Sequence, residues 1–141
     1  MHEQAQVPPK KLVLIVDDEP LIAVMMSQAF EEEGYASLIA HSADQALEML
    51  EATAQRIQLV VTDIQMPGSM DGLELGHLVA ERFAHIPVIT MTGFSSHGER
   101  GAVGPLLLKP FAMENLLGVA TRVIESGRFW RQMMKPRQAG R

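Results

Sequence analysis

Residues able to do chemistry stand where the apolar runs of this chain stop. Leu12-Val13-Leu14-Ile15-Val16 ends in Asp17-Asp18, and Gln58-Leu59-Val60-Val61-Thr62 ends in Asp63. Pro87-Val88-Ile89-Thr90-Met91 ends in Thr92, and Leu106-Leu107-Leu108 ends in Lys109. If these runs are neighbouring parallel strands, three carboxylates, a hydroxyl and an ammonium converge on one edge. Packed carboxylates repel, and burial alone raises their pKa values. A hard cation relieves that repulsion, and Mg2+ suits a few carboxylates completed by waters and phosphate oxygens. The remaining groups suit phosphoryl transfer. A carboxylate can act as a nucleophile and form an aspartyl phosphate. A lysine, a metal and a hydroxyl can then stabilise the charge on the transferring oxygens.

The elements that must position these groups follow from hydrophobic periodicity. After Asp17-Asp18, Pro20 suits a first helical turn, and Ile22, Met26, Ala29 and Phe30 share a face before Gly34 ends the helix. Ala36–Ala40 is a second strand, and Ser42 with Gln45 has capping-box spacing for a helix carrying Ala43, Ala46, Leu47 and Leu50. Asp71 and Glu74 stand at N-cap and N3 of a helix with Leu75, Leu78, Val79 and Phe83 on one face. A last helix from about Phe111 carries Leu116, Val119, Ala120, Val123 and Ile124. Strands apolar throughout, alternating with amphipathic helices, predict a parallel sheet covered on both faces. Right-handed crossovers make it an open, doubly wound α/β sheet, which binds ligands beyond the carboxyl ends of its strands.

Each motif also has a plainer reading. Asp17-Asp18 before Glu19-Pro20 could cap a helix, Asp63 could open a turn, Thr92-Gly93 could be a turn, and Lys109 could be a solvated lysine. Asp71 is read as an N-cap and left out of the site. Capping needs one acid, however, and the conjunction of all these residues at strand ends favours a metal and phosphoryl site. The five histidines share no ligand spacing and read as surface or turn residues; the ten methionines read as packing residues.

Composition bounds the rest. At 141 residues the chain is expected to form one domain with a sizeable core. There is no cysteine, which excludes disulfides, thiolate metal sites and cysteine nucleophiles. No apolar run approaches the roughly 20 residues of a membrane span, and the N-terminus lacks a secretory pattern, so a cytoplasmic location is expected. Residues 1–127 hold all 17 acids and seven of the 12 bases, net −10, whereas 128–141 hold five bases and no acid. An acidic domain argues against a nucleic-acid surface. Residues 1–10 read as a flexible arm, 11–127 as the domain, and 128–141 as a basic tail.

Asp17-Asp18, Asp63-Ile64-Gln65-Met66-Pro67, Met70-Asp71-Gly72, Thr92 and Lys109-Pro110-Phe111 together resemble the receiver domain of two-component response regulators. The resemblance covers roughly residues 11–127. It implies a flavodoxin-like five-stranded sheet of order 2-1-3-4-5. It further implies that Asp63 is the phospho-acceptor and that Mg2+ is held by Asp18, Asp17, Asp63 and the backbone carbonyl of Gln65. Thr92 and Lys109 would bind phosphoryl oxygens, and Lys109–Pro110 would be a cis peptide. The implied partner is a histidine kinase or histidine phosphotransfer protein, with the chain a monomer or weak dimer. It would be a phospho-acceptor that catalyses only its own phosphorylation and dephosphorylation.

The chain also departs from that pattern. Pro67-Gly68-Ser69-Met70 is one residue longer than the usual loop after the acceptor. Leu106 stands where receivers usually carry the aromatic ring of the switch. Thr92 to Lys109 spans only 17 positions and includes Gly93, Gly98, Gly101 and Gly104, so a short fourth helix or a mobile loop is expected there. Phosphorylation would then act by ordering 93–105, with Gly93, Leu106 and Pro110 as switch positions. Thr92-Gly93-Phe94 and the longer loop resemble the alphaproteobacterial single-domain receivers with a Phe-Ala-Thr-Gly-hydrophobic-Tyr (FAT GUY) motif, although Thr90-Met91 and Ser95 differ from it.

The expected function is therefore that of a stand-alone receiver signalling by partner binding or phosphorelay. The 14 residues after 127 are too few for an output domain; their basic and apolar mixture reads as a continued helix or a docking segment. One alternative is a receiver-shaped interaction module that is never phosphorylated. A remoter one is a phosphatase of the haloacid dehalogenase type, which needs a second Asp where Gln65 stands.

Overall fold

Apolar residues on both faces of a strand demand cover on both sides, and the chain supplies it with helices between the first four strands and after the fifth. The computed structural model describes residues 11–93 and 101–139, with side chains described to Gly127. The elements are β1 (Lys11–Val16), α1 (Pro20–Glu32), β2 (Tyr35–Ala40), α2 (Ala43–Thr53), a 3-10 turn (Ala54–Arg56), β3 (Ile57–Asp63), α3 (Gly72–Arg82), β4 (Val88–Thr92), β5 (Leu106–Leu108) and α4 (Met113–Ala139). The sheet is five-stranded with order β2-β1-β3-β4-β5, and every pairing is parallel. The direction of winding reverses between β1 and β3, so the crevice at their carboxyl ends is the ligand-binding position of this fold.

Strand alternation divides the core in two. Leu12, Leu14 and Val16 of β1 join Val60 and Val88 on the face covered by α2 and α3, through Ala46, Leu50, Leu75 and Val79. Val13 and Ile15 join Leu59, Val61, Ile89 and Met91 on the face covered by α1 and α4, through Met26, Phe30, Leu116, Ala120 and Ile124. Each fully buried Val, Leu, Ile, Met or Phe among them contributes roughly 1.5–3 kcal/mol of transfer free energy. The central runs of β1, β3 and β4 are apolar because they feed both layers.

Local signals agree closely with the elements. Gly34, with φ +96°, follows α1 and donates its N–H to Glu31. Ser42 Oγ accepts from Gln45 N–H at the start of α2, although Gln45 Oε1 reaches the N–H of His41 rather than that of Ser42. The Asp71–Glu74 capping box of α3 is complete. On the helices, Ala29, Leu47 and Leu78 are only half-buried, while Ala23 and Gly76 are fully covered. α4 begins at Met113 rather than Phe111 and continues unbroken past residue 127 to Ala139. No helix among the described residues is long and apolar enough to cross a membrane. The arm read over 1–10 lies outside the described residues, and so does 94–100, where the short fourth helix or loop is expected.

Candidate metal and phospho-acceptor site

β3 ends on Asp63 because Val60, Val61 and Thr62 ahead of it are wholly buried and anchor the strand. The Thr62 hydroxyl, itself buried, donates to the Asp63 carbonyl at 2.9 Å. On the adjacent strand, Val16 pairs with Thr62, which sets Asp17 beside Asp63. Asp17 is completely buried and Asp63 is 7% exposed; Asp18 is more open. One oxygen from each of Asp17, Asp18 and Asp63 lies within 4.8 Å of the others, a group that could hold a metal ion.

Lys109 enters from the end of β5, where its N–H donates to the carbonyl of Thr92 at 2.8 Å. Its Nζ donates to Asp63 Oδ2 at 3.2 Å and stands 3.7 Å from Asp17 Oδ2. Lys109–Pro110 is cis. Burial pushes the Asp63 carboxyl above its ordinary range, with Lys109 opposing and Asp17 adding to the rise. Asp17 is likewise pushed up by burial, against the backbone hydrogen bond from Glu19 and the charge of Lys109. Burial acts to lower the Lys109 pKa, but attraction to Asp63 and Asp17 prevails and the ammonium titrates above its usual range.

The donor set fits a hard cation. Asp17 Oδ1 accepts from Glu19 N–H at 2.9 Å, whereas the buried Asp17 Oδ2 has no hydrogen-bond partner. A buried anionic oxygen left so is costly. Asp17, Asp18 and Asp63 would together hold such an ion, which would supply the missing ligation in the all-oxygen chemistry that Mg2+ prefers.

The remaining predicted residues fall into place unevenly. Thr92 ends β4 one residue beyond Met91, the register partner of Asp63, and is 2% exposed. Gln65 lies exposed in the loop two residues past Asp63. Leu106 opens β5 opposite Thr90, half-buried. A side chain at Gly93 would meet nothing within 4 Å, so local space does not require glycine there. Pro110 is exposed.

Two contributors escaped the sequence reading. His41, just past β2, places Nδ1 3.2 Å from the Asp17 carbonyl oxygen. Its position one residue beyond a strand, on the same edge as the acids, was the available signal. Gly72 packs against the acceptor itself: a Cβ there would fall on the Asp63 carbonyl oxygen, and its N–H donates to Ile64 at 2.8 Å. The first turn of α3 therefore rests on the peptide that carries Asp63, and only glycine permits that approach.

Comparison with known proteins agrees with this geometry. The family model of the response regulator receiver domain matches residues 13–121. The chain is 35% identical over 136 residues to the nitrogen assimilation regulatory protein NtrX of Azorhizobium caulinodans, covering 89% of this chain and 29% of that protein. It is 32% identical over 115 residues to the response regulator FleR of Pseudomonas aeruginosa, covering 78% and 24%. It thus spans less than a third of the length of either relative. Among solved structures, a CheY-like receiver domain from Methanospirillum hungatei superposes with TM-score 0.77 at 26% identity, covering 85% of this chain and 98% of that one. Response regulator TrrA of Thermotoga maritima, solved in complex with Mg2+–BeF, superposes with TM-score 0.73 at 28% identity over 80% and 98%. With the strand order, the acidic edge and these likenesses in agreement, the chain belongs to the response regulator receiver domain family of two-component signalling.

Proposed function

We propose that Asp63 accepts a phosphoryl group from the phosphohistidine of a histidine kinase or histidine phosphotransfer protein. An Asp63 carboxylate oxygen attacks phosphorus, the P–N bond to the donor imidazole breaks, and the imidazole keeps the electron pair and takes up a proton. Lys109 and Thr92 bind phosphoryl oxygens. Asp17, Asp18, Asp63 and the Gln65 carbonyl would hold Mg2+, which when bound would neutralise charge on the transferring group. The chain catalyses only its own phosphorylation and dephosphorylation, in the cytoplasm, and signals by partner binding or by passing phosphate onward.

The observation that carries this reading is one carboxylate at the switch point of the sheet, 3.2 Å from a lysine ammonium and grouped with two further aspartates. TrrA, of the same fold, holds Mg2+–BeF. Leu21, 72% exposed, with Val24 and Met25 on the same helix, offers an apolar surface on α1, which begins two residues after Asp18, for a donor protein. Incubation with a small phosphodonor and Mg2+, read by intact mass, tests the proposal. A phosphate-sized gain in the parent that vanishes in Asp63→Asn supports it. No gain in the parent shows an interaction module that is not phosphorylated.

A further inference from the structure

The chain that opens α2 touches both loops of the acidic site. On one side, His41 Nδ1 meets the Asp17 carbonyl oxygen, and the His41 N–H donates to Gln45 Oε1 at 2.7 Å. On the other, Asp44 in the first turn of α2 accepts from Ser69 Oγ at 3.0 Å and 3.1 Å through its two oxygens. Ser69 lies in the loop that follows the acceptor, within the stretch that is longer than the receiver pattern leads one to expect. Gly68, immediately before it, has φ +114°, a conformation that side-chain-bearing residues rarely adopt. The chain thus turns at a glycine where Ser69 meets α2.

Met66 and Met70 pack against the core on either side of 67–69, so within loop 64–71 it is the exposed tip that the Ser69–Asp44 bond ties down. Residues 65 and 67–69 are exposed. The loop is held at its start by Ile64 N–H to Met91 and at its end by Gly72 N–H to Ile64. Between those ends it carries Gln65, whose carbonyl is the proposed ligand. Any freedom left in the loop that carries a backbone ligand must be lost when the ion binds, and that ordering opposes binding. A hydroxyl donating to a carboxylate is a charge-assisted hydrogen bond and can supply the order beforehand.

We infer that Asp44 and Ser69 form a latch, as positioning residues that hold loop 64–71 for cation binding beside Asp63. The inference rests on the metal-dependent reading above. Two measurements on the full chain test it: amide hydrogen exchange across 64–71 without metal, and Mg2+ affinity by titration calorimetry. Ser69→Ala and Asp44→Ala each speed exchange and weaken Mg2+ binding by about threefold to tenfold. Asp44→Asn, which keeps a neutral acceptor oxygen, falls between the parent and Asp44→Ala in both, and the double alanine variant is no weaker than Asp44→Ala alone. Unchanged exchange in Ser69→Ala overturns the latch. So does an Asp44→Asn protein as weak as Asp44→Ala beside an unaffected Ser69→Ala, since that pattern is charge acting at a distance. A parent that takes no Mg2+ refutes the metal reading alone, and exchange in Ser69→Ala still decides the latch.

Discussion

Asp17 and Asp63 are charged groups held where charge is disfavoured, and the pH dependence of stability follows from that. An acid whose native pKa is raised binds its proton more tightly folded than unfolded. Its contribution to stability is therefore full below the unfolded value of 3.8 and is lost as pH rises through the native value. In metal-free buffer, denaturant titrations from about pH 4 to pH 8 will show the parent losing more stability with rising pH than Asp17→Asn does. The Lys109 ammonium has the same sign at the other end of the scale: its stabilisation fades above pH 10.5 as the lysine gives up its proton. Lys109 also carries chemistry in the proposed reaction. Lys109→Ala will slow phosphate uptake from a small donor by about 100-fold, read as the rate of mass gain.

At the scale of elements, two neighbouring residues at the start of α3 separate stability from chemistry. Asp71 caps the helix: its side chain accepts from Glu74 N–H and Glu74 returns the bond, each at 2.9 Å. Asp71→Ala will cost about 1 kcal/mol in urea unfolding and leave the rate of phosphate uptake unchanged. Gly72 touches the acceptor's own carbonyl. Gly72→Ala will cost about 2 kcal/mol and also slow phosphate uptake, because the strand end must move to admit the methyl group. The caps and terminators were legible in the sequence: Ser42, Asp71 and Gly34 act within a few residues of themselves, so spacing alone reveals them. The contact of Gly72 with Asp63 was not, because it depends on where α3 returns to the sheet. Residues 94–100 of the 93–105 segment, with the Phe94 and Ser95 positions bearing on the FAT GUY likeness, lie outside the described residues.

At the scale of the molecule, the acidic edge stays in place because two apolar layers hold the five strands in register. Phe30 is fully buried between α1 and the sheet, edge-on to Tyr35 with ring centroids 5.6 Å apart. Phe30→Ala will cost about 3–5 kcal/mol in equilibrium unfolding. A cation that binds only the folded chain stabilises it by mass action. Mg2+ at tenfold its dissociation constant will add about 1.4 kcal/mol, read as a rise in melting temperature that chelator reverses and Asp17→Asn reduces. By itself the sequence determined the strands, the helices, the parallel architecture and the residues that end each strand, since alternation and periodicity are local consequences of burial. Only the tertiary structure decided the distances among Asp17, Asp18, Asp63 and Lys109, the approach of His41 and Gly72, and the tie of Ser69 to Asp44. Those contacts are made across the fold, and no local pattern records which side chains the strand register and helix return will bring together.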